Sequence, residues 1–153
     1  MGAFCADAPL WGPLADKHAL LPSAGGGIGL EVARAYLEQG DCCNVVDLAP
    51  EPSALFAQAT EGFAGRLQYL GADTTEVAQI DAPLDRAPAR FGPVQPLFIN
   101  AAVFDMASPL NGDEAMYDRI FAVNVKAMFF VMQKVLARCS WPATRPRTSP
   151  RRR

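Results

Sequence analysis

Short apolar runs alternate along this chain with stretches in which apolar residues recur every three or four positions. The short runs predict β-strands and the longer periodic stretches predict helices. Strands that each feed a helix are typical of a parallel sheet with right-handed crossovers. The predicted strands are residues 18–21, 42–46, 66–70 and 96–99, and the predicted helices are residues 28–39, 52–63, 76–91 and 114–138.

This alternation predicts an α/β fold with a doubly wound parallel sheet of about four strands. The expected strand order is 3-2-1-4. The order then reverses between the first and fourth strands, and such sheets bind ligands in the crevice at the carboxyl ends of those strands. Candidate functional residues are therefore expected just after each strand.

Glycine and proline residues indicate where two of the predicted helices should end or bend. The first should end at Gly40 in the C′ position. The third contains Pro83 and Pro88, and an interior proline kinks or frays a helix. The apolar face predicted for the first helix consists of Ile28, Val32, Ala33, Tyr36 and Leu37.

The last predicted helix, residues 114–138, is apolar nearly all round over residues 127–132. Such a helix is buried on two sides or packs against a partner subunit. A homo-oligomer formed through this helix is therefore expected.

Charge divides the chain into an acidic body and a basic end. Of the 14 Lys and Arg residues, five lie in residues 141–153, which leaves nine against 16 Asp and Glu in the preceding part, a charge of −7. An acidic body excludes a dedicated nucleic-acid surface. Residues 1–17 are expected to form an irregular lead-in. Residues 140–153 are expected to be a disordered basic tail. The two explanations of this tail are an arm that binds RNA or anionic lipid and a shifted reading frame, and the second is preferred.

Cysteine usage argues against metal and disulfide chemistry. The four cysteines show no C-x-x-C spacing, and His18 is the only histidine, expected to be a packed or solvated side chain. Free thiols indicate a cytoplasmic protein. No uninterrupted apolar run approaches the length of a membrane span, so no membrane association is expected.

A glycine-rich turn joins the first strand to the first helix. The run from Pro22 reads Pro-Ser-Ala-Gly-Gly-Gly-Ile-Gly and ends at Gly29. Such a turn lets the backbone approach a pyrophosphate, and the N–H groups at the start of the helix face its charge. Gly-rich turns also occur without a ligand, so the interpretation depends on the residues around it.

Further candidate residues follow the second, third and fourth predicted strands, at their carboxyl ends. Asp47 ends the second strand, where a carboxylate accepts hydrogen bonds from the adenosine ribose and repels a 2′-phosphate, which favours NAD over NADP. Asp73 follows the third strand, where it could bind the adenine. Asn100, Ala101 and Ala102 follow the fourth strand, where small residues leave room for a cofactor.

Together these residues resemble the short-chain dehydrogenase/reductase family. The resemblance rests on the run from Pro22 to Gly29, Asp47, Asp73, the Ile-Asn-Ala-Ala run from Ile99, and Asn124 in Phe-Ala-Val-Asn-Val. It implies an incomplete Rossmann-like dinucleotide-binding domain over residues 18–139, with Asn124 as the one remaining member of a catalytic group of four. The cofactor-binding residues that it implies are Ser23, Gly25, Gly26, Gly27, Ile28, Gly29, Asp47, Leu48, Asp73, Thr74, Asn100, Ala101 and Ala102.

The run that begins at Asn100 is similar to the sorbitol or galactitol dehydrogenase branch of that family. The resemblance implies NAD-dependent oxidation of a secondary alcohol, with a small alcohol or polyol as substrate. Pro22, Ser23 and Ile99 depart from the family pattern of Thr, Gly and Asn at these positions. Ser23 would be strained in a left-handed turn.

The family's catalytic Ser and Tyr-x-x-x-Lys have no counterpart. Tyr36, Tyr69 and Tyr117 are followed four residues later by Gly, Asp and Phe. Because this chemistry needs a positioned acid, the sequence predicts a chain truncated after its fourth strand and helix and inactive on its own. The alternatives are a non-catalytic nucleotide-binding or oligomerising remnant and, more distantly, a methyltransferase.

Overall fold

The computed structural model describes residues 17–105 and 110–138. The predictions for residues 1–16 of the lead-in, for the tail at residues 140–153 and for Cys5 and Cys139 lie outside the described residues. Strands β1, β2 and β3 are His18–Pro22, Cys42–Asp47 and Leu67–Gly71. Helices α1 to α5 are Gly27–Glu38, Ala54–Ala59, Asp81–Phe91, Glu114–Phe121 and Met128–Arg138, with a 3₁₀ turn at Val77–Gln79 and a π-helical turn at Ala122–Ala127.

The three strands form a parallel sheet in which β2 lies between β1 and β3. Residues 95–100 run beside the free side of β1. The Leu20 N–H donates to the Pro96 carbonyl at 3.0 Å, and the Phe98 N–H donates to the Leu20 carbonyl at 3.0 Å. This segment forms one parallel bridge, between Leu20 and Leu97, instead of a strand. The fourth strand, and with it the order 3-2-1-4, stays a prediction.

Successive strand residues point to opposite faces of the sheet and feed two apolar cores. Leu21 and Val45 pack with residues of α1 and with Phe56 of α2. Leu20 and Val46 pack on the other face with residues of α3 and α5. Helices therefore cover both faces, as predicted.

The apolar face predicted for α1 was wrong at its first position. Ile28 is 73% exposed, whereas Leu30, Ala33 and Leu37 are buried. The register of the helix on the sheet is set by its glycine-rich start, which turns Ile28 away from the core. Gly40 follows the helix with φ of +100°, the left-handed conformation expected at C′.

The third predicted helix consists of two separate helical segments instead of one kinked helix. A 3₁₀ turn at Val77–Gln79 precedes α3, so that Pro83 falls in the first turn of the helix, where no intrahelical N–H bond is lost. Pro88 alone lies inside it. The second predicted helix is shorter at both ends. The Ser53 hydroxyl accepts from the Phe56 N–H at 3.1 Å and caps the start of α2. The helix ends at Ala59, and Gly62 beyond it has a left-handed φ of +89°.

The last helix is continuous from Glu114 to Arg138, as predicted. Its π-helical turn at Ala122–Ala127 was not predicted. Among the described residues it is the one helix long and apolar enough to span a membrane, a test that core helices also pass. Its cationic side chains bind α3: Lys134 pairs with Asp81, and Arg138 contacts Asp81 at 2.8 Å and Asp85 at 2.9 Å.

The ion pairs of Asp81 generate a prediction about acid stability. Hydrogen bonds from Lys134 and Arg138 hold the pKa of the Asp81 carboxyl below its usual range. A carboxyl whose pKa is lower in the folded state than in the unfolded state stabilises the fold at pH values above the unfolded-state pKa of about 4. This contribution is lost as the pH falls through the folded-state pKa. The free energy of unfolding should therefore be lower for Asp81→Asn than for wild type at pH 7, and the difference should shrink below pH ~4.

Guanidinium unfolding at a series of pH values measures this difference. Asp118→Asn removes the same charge from an exposed position of α4 and is the control. A wild-type advantage over Asp81→Asn that stays constant from neutral to strongly acidic pH would contradict the assignment.

The start of α1 generates a second prediction. A Cβ atom on Gly29 would lie 2.6 Å from both the Ala24 Cα and the Ser23 carbonyl oxygen, so the helix and the loop cannot both keep their places. Gly29→Ala should cost about 1–3 kcal/mol of unfolding free energy. Gly26 has extended backbone at φ −168°, and a Cβ atom on it would meet no other atom within 4 Å, so Gly26→Ala should cost less than about 1 kcal/mol. Equal losses in urea unfolding would refute the close packing.

Candidate functional site

The glycine-rich loop begins with a strained serine. Ser23 has φ of +60°, the left-handed conformation that the sequence predicted as a strain at this position. Its backbone is held on both sides: the Ser23 N–H donates to the Val46 carbonyl at 2.6 Å, and the Ser23 carbonyl accepts from the Asn100 Nδ2 at 3.0 Å. These contacts tie the loop to β2 and to the segment beside β1.

Beyond the serine, the loop leads directly into α1. Gly26 is the N-cap residue, and because it has no side chain the helix has no side-chain cap. Gly26, Gly27 and Ile28 are exposed at the start of the helix. The first N–H groups of a helix have no intrahelical partner and carry the positive end of its dipole. This end of α1 is therefore suited to an anionic group.

Asp47 lies beside this loop, as its place at the end of β2 predicted. One carboxylate oxygen accepts from the Gly25 N–H at 2.8 Å, and the other accepts from the Leu48 N–H at 2.8 Å. A Cβ atom on Gly25 would lie 2.8 Å from the nearer oxygen. A residue without a side chain is thus required where the carboxylate meets the loop.

Tyr69, whose role the sequence did not predict, holds the loop that follows Asp47. Its hydroxyl donates to the Ala49 carbonyl at 3.1 Å. Burial raises the pKa of Tyr69, and the carboxylates of Asp47 and Glu51 raise it further, so the hydroxyl keeps its proton. The contact depends on the register that pairs Val45 with Tyr69, which no pattern in the sequence marks.

Asp73 organises the turn after β3. One of its carboxylate oxygens accepts from the Thr75 N–H at 2.9 Å and from the Thr75 hydroxyl at 2.7 Å. The Asp73 N–H donates to the Gln79 side chain at 3.3 Å. Asp73 and Thr74 thus lie at the carboxyl edge of the sheet, in a turn stabilised by the Asp73 carboxylate itself.

The Asn-Ala-Ala run lies at the same edge, next to the glycine-rich loop. The Asn100 N–H donates to the Pro22 carbonyl at 3.2 Å, in addition to the side-chain bond to Ser23. Ala101 is 5% exposed, and Ala102 is exposed. The structure therefore brings together the loop, Asp47 and Asn100, three features that the sequence placed at strand ends.

Asn124 lies in the π-helical turn of the last helix. Its Oδ1 accepts from the Val103 N–H at 2.8 Å, and its Nδ2 donates to the Val103 carbonyl at 2.9 Å. The side-chain amide thus fixes the chain that follows Ala102. The catalytic role that the family resemblance implies for Asn124 stays a prediction.

The cysteines and histidine offer no second reaction centre among residues 17–105 and 110–138. Burial raises the pKa of the Cys43 thiol to about 12, with a further contribution from Asp41, so it is not a nucleophile near neutral pH. His18 is packed, 2% exposed, and its Nδ1 bonds the Gly92 carbonyl at 2.7 Å. No group of three or more His, Cys, Asp and Glu side chains in these ranges could hold a metal ion.

Comparison with known proteins agrees with this geometry. Residues 17–141 match the family profile described as short chain dehydrogenase. The chain is 38% identical over 123 residues to the galactitol 2-dehydrogenase of Agrobacterium fabrum and 34% identical to the sorbitol dehydrogenase of Cereibacter sphaeroides; each match covers 80% of this chain and 46% of the enzyme. A short-chain type dehydrogenase/reductase from Mycobacterium marinum superposes with a TM-score of 0.76 at 26% identity, over 82% of this chain and 51% of that structure.

The chain thus spans about half the length of the relatives that it matches. The family resemblance and the Rossmann-like α/β fold are confirmed, and nothing is left to favour the methyltransferase alternative. Because the profile covers the glycine-rich loop, Asp47, Asn100 and Asn124 in one stretch, the chain belongs to the short-chain dehydrogenase family.

Proposed function

We propose that this chain supplies the cofactor half of an NAD-dependent oxidoreductase that oxidises a secondary alcohol. The observation that carries the proposal is the contact between Asp47 and Gly25 at the start of α1. It places a carboxylate, which can accept hydrogen bonds from a ribose diol, next to the N–H groups that would face a pyrophosphate. When bound, NAD would accept the hydride that leaves the alcohol.

The residues present fit such a cofactor. The backbone at Gly26 and Gly27 is open, since no atom lies within 4 Å of the position of a Cβ on either residue. Ile28 and Leu48 are 73% and 70% exposed, so apolar surface flanks the loop where an adenine would lie. Asp47 favours NAD over NADP, because a carboxylate repels a 2′-phosphate.

A polyol is the proposed substrate class. Its support is the similarity to enzymes named galactitol 2-dehydrogenase and sorbitol dehydrogenase. The 153 residues contain no Tyr-x-x-x-Lys, so this chain alone should bind the cofactor without turnover. The similarity to enzymes named as dehydrogenases favours an oxidoreductase over a non-catalytic nucleotide-binding or oligomerising remnant.

Residues 96–99 are proposed to form the fourth strand, which gives the order 3-2-1-4. Support comes from backbone hydrogen bonds that the segment exchanges with β1, from Gln95 to Asn100. The ligand crevice would then lie between β1 and this segment, where Ser23 and Asn100 meet.

A homo-oligomer is proposed to form through the last helix. One face of that helix packs on α3, and large apolar side chains are exposed elsewhere along it. Exposed apolar patches of this kind mark interaction sites. The exposed side chains are Tyr117, Phe121, Val125, Met128, Phe129, Met132 and Leu136.

A cytoplasmic location without nucleic-acid or membrane partners is also proposed. Its support is the free state of Cys42 and Cys43 and the acidic balance of the body of the chain.

Substitution of Asp47 tests the choice of cofactor. Asp47→Asn keeps the shape of the side chain and removes its charge. Hydrogen bonds to a charged group contribute about 1.5–3 kcal/mol, so NAD binding should weaken roughly 10- to 100-fold while NADP binding is unchanged or improved. Isothermal titration calorimetry with each dinucleotide measures both.

Glu38→Gln removes the same charge at the far end of α1 and should leave both affinities unchanged. The double change Pro22→Thr, Ser23→Gly relieves the strained turn and should strengthen NAD binding. Absence of NAD binding to wild type and to this double variant would contradict a cofactor site in this chain alone.

Substitution of Phe129 tests the proposed oligomer. Phe129 is 52% exposed, and Phe129→Asp would place an unpaired charge in the apolar interface. The dissociation constant of the oligomer should rise about tenfold or more, as each 1.4 kcal/mol changes it tenfold. Light scattering over a concentration series measures it.

Gln58→Glu adds a charge at an exposed position of α2, outside the proposed interface, and is the control. A wild-type chain that stays monomeric at high concentration would refute the oligomer without bearing on the cofactor site.

A further inference from the structure

The loop that follows β2 lies directly against the end of β3. The Asp47 carbonyl accepts from the Ala72 N–H at 2.8 Å, which anchors the start of the loop. A Cβ atom on Gly71 would lie 2.6 Å from the Pro50 Cα and 3.2 Å from the Ala49 carbonyl oxygen. The backbone of the loop therefore has little freedom to move toward the sheet.

The side chain of Tyr69 holds this loop at a second point. Its hydroxyl donates to the Ala49 carbonyl at 3.1 Å. The ring packs edge-on against Phe56 of α2, with the ring centroids 5.3 Å apart, so the apolar core sets the position of the hydroxyl. Burial, together with the carboxylates of Asp47 and Glu51, raises the pKa of Tyr69, so the hydroxyl remains a donor near neutral pH.

The loop in turn orients the carboxylate of Asp47. One oxygen of that carboxylate accepts from the Leu48 N–H and the other accepts from the Gly25 N–H, each at 2.8 Å. The Leu48 N–H belongs to the loop that Tyr69 holds one residue further on, at Ala49. A shift of this loop would therefore move one of the two donors that orient the carboxylate.

We propose that Tyr69 is a positioning residue for the adenosine half of the dinucleotide, acting through the loop at residues 48–50 and the Asp47 carboxylate. This role rests on the proposed function, in which Asp47 binds the ribose and Leu48, 70% exposed, flanks the adenine. A carboxylate that is already oriented binds more tightly than one that must be ordered on binding, because ordering costs free energy. The N–H groups at the start of α1, which would face the pyrophosphate, do not depend on Tyr69.

Tyr69→Phe tests this role, because it removes the hydroxyl and keeps the ring that contacts Phe56. The dissociation constants of ADP and NAD should rise about fivefold, the change that corresponds to one hydrogen bond. The dissociation constant of inorganic pyrophosphate, which lacks the adenosine, should be unchanged. Titrations followed by nuclear magnetic resonance measure all three.

Tyr36→Phe is the matched control. Tyr36 is a half-buried tyrosine of α1, and its carbonyl accepts from the Asp41 N–H just before β2, at the opposite end of that strand from Asp47. Loss of its hydroxyl should leave the affinity for ADP unchanged.

A double-mutant cycle separates positioning from a merely structural role. A structural role would lower the free energy of unfolding of Tyr69→Phe and leave the dissociation constants of the folded protein unchanged. Because Tyr69 acts through Asp47, adding Tyr69→Phe to Asp47→Asn should weaken ADP binding by less than about twofold further. Losses that add in full would overturn the proposal.

Two further outcomes distinguish this role from the proposed function. Equal affinities of wild type and Tyr69→Phe for ADP would overturn the role of Tyr69 and leave the proposed function intact. Wild-type protein that binds neither ADP nor NAD would contradict the proposed function, and the role of Tyr69 with it.

Discussion

The backbone of Ser23 is the point on which the candidate site depends. A left-handed serine costs roughly 1–2 kcal/mol, and it persists because hydrogen bonds to Val46 and from Asn100 fix it from both sides. The same two contacts set the positions of the end of β2 and of the segment beside β1. Because Asp47 follows Val46 directly, the placement of its carboxylate against Gly25 is a consequence of the same anchoring.

Much of this site could be predicted from the sequence because it depends on local rules. Residues at the ends of parallel strands meet at one edge of a sheet, so the positions of Asp47 and Asn100 followed once the apolar runs were recognised as strands. The left-handed turn at Ser23 followed from the family resemblance, because the family has Gly at this position. Ile28 was misplaced because periodicity identifies the face that meets the core but not where along the helix that contact begins, and Ile28 lies in the exposed first turn.

The features that the sequence did not predict depend on contacts between distant segments. The bond between Asn124 and Val103 joins residues 21 positions apart, and the bond between Tyr69 and Ala49 depends on the register of β2 and β3. Ile80, which is 2% exposed, lies at the break between the 3₁₀ turn and α3. Propensity and periodicity describe single elements, whereas these features arise when the elements pack.

The last helix connects the two parts of the proposed function. Lys134 and Arg138 bind it to α3, and Asn124 holds the chain after Ala102. The large apolar side chains on its other face are exposed. A second copy on the exposed face would therefore press on the helix that positions Val103, next to the edge where the cofactor is proposed to bind. Because protein interiors are close-packed and transmit strain, association through this helix would restrain the Asn124 contact as well. The oligomer and the cofactor site thus share one structural support.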